Sequence, residues 1–176
     1  SSFSKIEKLL SEYCPRWLLI QPFVLNKIIQ SYQKNQTSPP TSICYIETIG
    51  EHLPSDIRRK ARALFHCNVA SMYGSEETNA IALENPKQTI TVFEDNVFLE
   101  IEKENIINQQ NASGNIIVTS LHNYAMPLIR YCLNDLVELH HGYSGKYNKG
   151  KIDCIYGRVN QAIVINNYFI SEFFLV

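Results

Sequence analysis

The sequence lacks several features that would assign it to a broad class at once. It has no apolar run near the roughly 20 residues of a membrane-spanning helix, and no secretory signal pattern at its amino terminus. Its formal net charge is −1, so no excess of basic residues indicates a nucleic-acid partner. We therefore predict a cytoplasmic protein that binds neither a membrane nor nucleic acid.

The sequence also lacks paired cysteine motifs. Its five cysteines include no CxxC pair, and an odd, scattered set indicates reduced thiols. A metal centre is an alternative, because His122, His140 and His141 lie in the same part of the sequence as Cys132 and Cys154. This spacing matches no tetrahedral zinc pattern, and nothing indicates a Cys–His nucleophile, so neither site is expected.

In the first half of the chain, segments with the apolar spacing of a helix alternate with short apolar runs typical of strands. Helical spacing is found before Pro15, after Pro22 and after Pro54. Short apolar runs lie between and after these helices, at Trp17–Ile20, Ile43–Thr48 and Val69–Met72. They predict strands, and Trp17–Ile20 is expected to be buried. Alternating helices and strands predict a layered α/β fold with parallel strand pairs, which we assign to residues 1–86.

The second half has no strong helical pattern. Short apolar segments joined by polar turns predict a small β-rich, barrel-like subdomain over residues 87–156. The predicted strands are Thr89–Phe93, Val97–Ile101, Asn115–Thr119, Leu136–Leu139 and Lys151–Tyr156. Residues 157–176 follow as a third, separate segment.

One long stretch, residues 114–139, combines strands with polar turns. Its sequence is GNIIVTSLHNYAMPLIRYCLNDLVEL. A turn at Asn134 is predicted to present Asp135 immediately before a strand. A carboxylate at such a rim can accept two hydrogen bonds from a vicinal diol, although an Asp that caps its own turn is the alternative.

Three further stretches follow predicted strands. Ser71–Thr78, SMYGSEET, lies at the carboxyl end of a strand, where open α/β sheets bind ligands; the alternative is an acidic first turn of a helix. Glu47–Leu53, ETIGEHL, contains a glycine that allows close approach of the backbone to a ligand. Tyr156–Ile165, YGRVNQAIVI, is either a glycine turn before an ordinary strand or part of a site.

Together these stretches resemble adenylate-forming enzymes, most closely the branch typified by phenylacetate–CoA ligase and its capsule-biosynthesis relatives. TSLHNYAMPLIRYCLNDLVEL resembles the family segment TSLTNYAMPLIRYRTGDLVEL, and SMYGSEET resembles Tyr-Gly-x-Thr-Glu. The resemblance implies a fragment of the large N-terminal domain of such an enzyme, with a hinge at 157–176 where a C-terminal lid begins. It also implies ATP or AMP and Mg²⁺ as cofactors, a small-molecule carboxylate as substrate, and a CoA or carrier-protein thiol as acceptor.

The resemblance also implies roles for individual residues. Tyr73, followed by Gly74, matches the residue whose ring lies against adenine, and Asp135 matches the residue that holds the ribose hydroxyls. Glu77 matches the catalytic glutamate that coordinates Mg²⁺, and Glu76 occupies the place of a phosphate-binding threonine.

Three more positions match residues of the nucleotide site. Gly50 and Glu51 match a segment whose backbone lies along the adenine. Arg158 matches an arginine of the hinge that contacts ribose and phosphate.

The chain departs from the family pattern at several positions. Glu76 replaces threonine, Cys132 replaces arginine, Asn134 replaces glycine and Asn160 replaces the hinge aspartate. The 176 residues contain neither a Ser/Thr/Gly-rich phosphate loop nor the lid with its catalytic lysine, so this chain alone is expected to be incomplete and inactive. The alternative is a degenerate or truncated relative that binds a nucleotide or a protein partner without catalysis.

Overall fold

The chain forms two compact units. The computed structural model describes residues 2–102, 112–140, 150–161, 163–165 and 168–170. The first unit comprises Ser1–Met72 and the second Tyr73–Val176. The division of the chain into the segments 1–86, 87–156 and 157–176 stays a prediction.

The first unit is a parallel α/β structure. Its elements are α1 (Ser2–Tyr13), β1 (Trp17–Ile20), α2 (Pro22–Asn35), β2 (Tyr45–Thr48), α3 (Ser55–Phe65) and β3 (Asn68–Ser75), which runs on into the second unit. β2 pairs in parallel with both β1 and β3, so the helices α2 and α3 are the crossover connections. The predicted order of helices and parallel strands is confirmed.

Local sequence explains where the helices begin and end. Pro22 is the first residue of α2, where its missing N–H costs no hydrogen bond. Gln36 and His66 end α2 and α3 in the left-handed conformation, with φ of 53° and 52°. Their backbone N–H groups bond to carbonyls of the last helical turn, which would otherwise lack partners.

The core of the first unit lies between its helices and its sheet. Leu25, Ile28, Ile29 and Tyr32 lie along one stripe of α2 and are almost completely buried. They pack with residues of β2, α3 and β3 in one hydrophobic cluster. Strand β1 was expected to be buried, but Trp17 and Leu19 are 55% and 53% exposed, since only alternate residues of this strand face the cluster.

The second unit is an antiparallel β structure. After the end of β3 its strands are β4 (Asn79–Glu84), β5 (Ile90–Val92), β6 (Val97–Ile101), β7 (Ala112–Ser120), β8 (Tyr131–Leu139) and β9 (Lys151–Arg158). Their order in the sheet is β4-β5-β9-β8-β7-β6. A short 3₁₀ turn (Val159–Gln161) and a hairpin of β10 (Ile163–Ile165) and β11 (Tyr168–Ile170) follow.

The predicted change from parallel α/β to β-rich structure is confirmed. The strands β7 and β8 are longer than predicted, and β4 was not predicted. Ile81, Val97, Ile116 and Val118 form the centre of the second core and are at most 1% exposed. No helix among the described residues is long and apolar enough to cross a membrane.

Candidate functional site

The stretch SMYGSEET forms the end of β3 and a tight turn into β4. Glu76, Glu77 and Thr78 form the turn, so the alternative of a helix amino terminus is wrong. The Thr78 backbone N–H donates to the Ser75 hydroxyl at 3.1 Å, which holds the turn closed. Gly74 has no room for a side chain, because an added Cβ would collide with the carbonyl oxygen of Asn79.

Asp135 lies inside a continuous strand, β8, and not in a turn before a strand as predicted. The turn survives as a bulge, because the register between β7 and β8 shifts between Asn115 and Ile117. Asn134 absorbs the bulge with a φ of 59°, a conformation that asparagine tolerates better than most residues. A bulge at Asn134 therefore takes the place of the turn that was predicted there, at a position where the family motif has glycine.

The Asp135 carboxylate is the centre of a network of side chains from three strands. Its Oδ2 accepts a hydrogen bond of 2.8 Å from the Tyr73 hydroxyl, and its Oδ1 lies 3.0 Å from Nε of Arg158. The Asp135 side chain is only 12% exposed. Burial raises the pKa of Asp135, while the hydrogen bond from Tyr73 and the charge of Arg158 act in the opposite direction.

Tyr73 is held in its neutral form by the same surroundings. Burial raises the pKa of the Tyr73 hydroxyl above its usual value, and the negative charge of Asp135 adds to the rise. A neutral phenol is a hydrogen-bond donor, so Tyr73 fixes the orientation of the carboxylate. The carboxylate keeps further lone pairs with which it can accept hydrogen bonds from a ligand.

Strand pairing positions Arg158. Its backbone lies directly opposite Asp135 in the β8–β9 register, and Gly157, with a φ of 102°, directly precedes it. One terminal guanidinium nitrogen donates to the Leu133 carbonyl at 2.9 Å, while Nε of the same group contacts Asp135. The side chain is still 56% exposed, so it can also meet a bound anion.

Glu77 lies close enough to this network to influence it. Its Oε1 accepts a hydrogen bond of 3.2 Å from the hydroxyl of Tyr131. Hydrogen bonds from its own backbone N–H and from Ser75 are the main causes that lower the pKa of Glu77, and the charge of Arg158 contributes. Glu77 is therefore ionised at neutral pH.

Glu77 fits one mode of Mg²⁺ binding. Within the described part of the chain no three His, Cys, Asp or Glu side chains form a group that could hold a metal by themselves. Mg²⁺ is commonly bound by one or two carboxylates together with phosphate oxygens of the substrate. An exposed, ionised Glu77 is suited to that mode, in which the substrate supplies the other ligands.

Gly50 and Glu51 belong to the first unit. Gly50 has a φ of 86°, a left-handed conformation for which glycine is suited. The Glu51 Oε2 accepts a hydrogen bond of 3.2 Å from the Phe23 backbone N–H at the start of α2. This carboxylate therefore satisfies a backbone donor at the helix amino terminus, and its part in a nucleotide site stays a prediction.

The positions that depart from the family pattern have distinct surroundings. The Cys132 thiol accepts a hydrogen bond of 2.8 Å from the Asn115 side chain. Glu76 and Asn160 are exposed. Asn134, Arg158, Val159 and Asn160 line a cleft of about 580 Å³.

Sequence reasoning missed two members of the site. Tyr131 lies in the stretch 114–139 but was given no role, yet its hydroxyl donates a hydrogen bond to Glu77. Ser75 lies in the motif SMYGSEET but was given no role, although it hydrogen-bonds both Thr78 and Glu77. Of the histidines and cysteines considered for a metal, His140 instead pairs with Asp153 at 2.9 Å, and His141 lies outside the described residues.

The fold of the chain resembles part of the fold of several CoA ligases of known structure. The solved structures that resemble the chain include a 2-hydroxyisobutyryl-CoA ligase in complex with 2-HIB-AMP, with a TM-score of 0.77 and 13% identity. Two others are the anthranilate CoA ligase AuaEII in complex with anthranoyl-AMP (TM-score 0.73, 12% identity) and coronafacic acid ligase from Pectobacterium brasiliense (TM-score 0.67, 18% identity). The resemblance inferred from the motifs is thus confirmed at the level of the fold.

The similarity covers nearly all of this chain but only part of each ligase. The three alignments each cover 97% of the chain, and they cover 38%, 35% and 35% of the respective ligases. No protein-family model and no curated protein matches the sequence.

Proposed function

We propose that this chain is part of an ATP-dependent carboxylate-activating ligase. In the proposed reaction a carboxylate oxygen attacks the α-phosphorus of ATP, the bond to the β-phosphate oxygen breaks, and pyrophosphate leaves. The resulting acyl-adenylate then passes its acyl group to a thiol of CoA or of a carrier protein, with AMP as the leaving group. The motifs place the chain near the phenylacetate–CoA ligase branch, and its unpaired thiols agree with a cytoplasmic location.

The Asp135 network is the observation that supports this proposal. A buried carboxylate with two fixed partners and free lone pairs is suited to a ribose diol, which donates two hydrogen bonds. We assign Asp135 to the ribose and Arg158 to ribose or phosphate. Tyr73 orients Asp135 through its hydroxyl and offers its ring to the adenine.

Glu77 is assigned to the phosphate end of the nucleotide. As an ionised carboxylate at an exposed turn, it is suited to hold Mg²⁺ together with phosphate oxygens. Glu77 would hold the ion there, and Mg²⁺ would supply positive charge beside the phosphate oxygens. Gly74 allows the end of β3 to lie close to the backbone of Asn79 at the start of β4. Gly50 and Glu51 are assigned to the adenine from the motif alone.

Pyrophosphate exchange tests the proposal in the natural polypeptide at its full length. Asp135→Ala should abolish acid-dependent exchange or raise the ATP KM by at least about tenfold, which is about 1.4 kcal/mol of lost binding. Asp153→Ala is the matched control, because Asp153 is an exposed aspartate on β9 that pairs only with His140 among the described residues. Unchanged exchange in Asp135→Ala would remove this residue from the site.

Binding without catalysis is the second candidate. The observation that favours it is Glu76, an exposed carboxylate where a phosphate-binding threonine is expected, because an ionised carboxylate cannot donate the hydrogen bond that a threonine hydroxyl would give to a phosphate oxygen. If the full-length protein binds ATP by calorimetry and Asp135→Ala abolishes that binding, but no acid supports exchange, this candidate replaces the ligase.

A further inference from the structure

Two tyrosine–carboxylate pairs join residues 73–77 to the first half of β8. The Tyr73 hydroxyl donates to Oδ2 of Asp135 at 2.8 Å, and the Tyr131 hydroxyl donates to Oε1 of Glu77 at 3.2 Å. In each segment the two partners are four residues apart, and they meet in opposite chain order, as residues of antiparallel segments do. The segment before β4 is therefore fixed to β8 at two points, one at each carboxylate.

The Tyr131 hydroxyl belongs to a well-anchored residue. The backbone of Tyr131 lies opposite Val118 in the β7–β8 register, and its side chain packs against the second hydrophobic core. Glu77, by contrast, is an exposed residue of a tight turn, where a carboxylate can adopt several rotamers unless a donor fixes it. Because the donor is placed by a paired strand, the hydrogen bond to Oε1 fixes the orientation of the Glu77 carboxylate.

The orientation of a carboxylate matters more for Mg²⁺ than for most cations. Mg²⁺ requires a nearly ideal octahedron of oxygen ligands at about 2.0–2.1 Å, so a small displacement of one ligand weakens binding. Hydrogen bonds that orient a metal-binding side chain typically change the metal affinity by about 10- to 100-fold. An ionised carboxylate has about four lone-pair sites, so Glu77 can accept the hydrogen bond from Tyr131 and still coordinate an ion.

We infer that Tyr131 is a positioning residue for Mg²⁺ at the phosphate end of the nucleotide. Its hydroxyl holds the Glu77 carboxylate in the orientation that the ion requires, at a place fixed relative to Asp135. The inference rests on the proposed ligase function and adds to it a residue that acts only through Glu77. The reciprocal pair of Tyr73 and Asp135 holds the ribose end, so the loss of the Tyr131 hydroxyl affects one end of the nucleotide and not the other.

Nucleotide binding to the full-length protein separates the two ends of the site. Tyr131→Phe should weaken the calorimetric binding of ATP in the presence of Mg²⁺ by about tenfold, the lower end of the range for orienting hydrogen bonds. Binding of AMP without Mg²⁺ should be unchanged, because the groups assigned to the ribose stay in place. Equal losses for both nucleotides, or no loss for ATP with Mg²⁺, would overturn the inference.

Pyrophosphate exchange tests the same point through the Mg²⁺ requirement. In Tyr131→Phe the Mg²⁺ concentration that gives half of the maximal rate should rise about tenfold, while the rate at saturating Mg²⁺ returns close to that of the wild type. Tyr13→Phe removes a hydroxyl from a 74% exposed residue of α1 and is the matched control, which should change neither value. A loss of maximal rate that excess Mg²⁺ does not restore would contradict a positioning role for Tyr131.

A double variant shows whether Tyr131 acts through Glu77. Glu77→Ala should weaken ATP binding with Mg²⁺ by itself, and adding Tyr131→Phe should cause no further loss, since the hydroxyl then has no carboxylate to hold; additive losses would refute the inference. If the wild type binds ATP and Asp135→Ala abolishes that binding, but Tyr131→Phe behaves as the wild type, the inference fails and the ligase proposal stands. If the wild type binds neither nucleotide, the ligase proposal fails and the inference fails with it.

Discussion

At the scale of single residues, the site depends on how Asp135 is held. Two partners from different strands each contact one of its oxygens, Tyr73 at 2.8 Å and Arg158 at 3.0 Å. The carboxylate is thereby oriented before any ligand arrives, and preorganisation of this kind lowers the cost of binding. Glu77 and Tyr131 form a second, more exposed pair beside this network.

Two tyrosines allow the buried and exposed hydrogen bonds to be compared. Tyr73→Phe should lower the free energy of unfolding by about 1–3 kcal/mol, because it leaves an oxygen of a buried carboxylate without its donor. Tyr131→Phe removes the hydrogen bond to the exposed Glu77, and we expect little change in stability. Urea unfolding of both variants measures the difference, and equal effects would mean that Tyr73 adds no more than a surface contact.

The pKa of Asp135 predicts a pH dependence of stability. Because burial raises its pKa above the usual value of 3.8, the folded chain holds this proton more tightly than the unfolded chain. The contribution is fully present below pH 3.8 and is lost as pH rises through the folded-state pKa. The wild type should therefore lose unfolding free energy relative to Asp135→Asn between about pH 4 and neutral pH.

Denaturant titrations at a series of pH values measure that difference. A wild type that instead gains stability relative to Asp135→Asn over the same interval would show that Tyr73 and Arg158 outweigh burial. Each outcome gives the sign of the net effect on the pKa of Asp135, which burial and the charge of Glu77 raise and which Tyr73 and Arg158 lower.

At the scale of elements, a bulge and a turn bring the site residues together. The bulge in β8 rotates the strand locally at Asn134, and the register of β8 with β9 then sets Arg158 opposite Asp135. The turn after β3 places Glu77 next to Tyr131 at the start of β8. Neither device contains a helix, so the alternative reading of SMYGSEET as an acidic first turn of a helix is wrong.

Substitutions at Asn134 test the bulge. Asn134→Gly should change the free energy of unfolding by less than about 0.5 kcal/mol, because glycine adopts the positive φ without strain. Asn134→Val should lower it by about 1–2 kcal/mol or more, since a β-branched residue is strained in the left-handed region. Thermal or urea unfolding gives both values, and a neutral valine would mean that the strand straightens without cost.

At the scale of the whole molecule, two hydrophobic cores support the two units. Ile29 is completely buried in the first cluster and Ile116 in the second, whereas Ile129 is 74% exposed. Ile29→Ala and Ile116→Ala should each lower the free energy of unfolding by about 2–5 kcal/mol. Ile129→Ala is the matched surface control, and a loss as large as those of the core variants would contradict the assignment of the cores.

The share of each ligase that the chain matches also matters at this scale. The chain aligns with about a third of these enzymes, 38% in the largest alignment quoted, so complete catalysis is a property to be tested on the full-length protein. At 12–18% identity, what the chain shares with the quoted ligases is the fold. The substituted positions, Glu76 above all, are where its chemistry can differ.

Much of the architecture could be predicted because it depends on local patterns. The stripe from Leu25 to Tyr32 has helical spacing, Pro22 fits the first turn of a helix, and short apolar runs mark most of the strands. Strand β4 was missed because NAIALE, the segment Asn79–Glu84, lacks the alternation of polar and apolar residues that marks a clear strand. The exposure of Trp17 was also missed, because apolar composition does not show which face of a strand is covered.

The sequence by itself determined the order of the helices and of most strands, and it predicted a turn at Asn134 and the residues that could bind a nucleotide, since each depends on residues near one another in the chain. Only the tertiary structure decided that Tyr73, Asp135 and Arg158 share one network and that Glu77 and Tyr131 form a pair beside it. Glu77 and Tyr131 are 54 positions apart in the sequence, and Tyr73 and Asp135 are 62 apart. Contacts over such distances are fixed by strand pairing and sheet order, which no local pattern encodes.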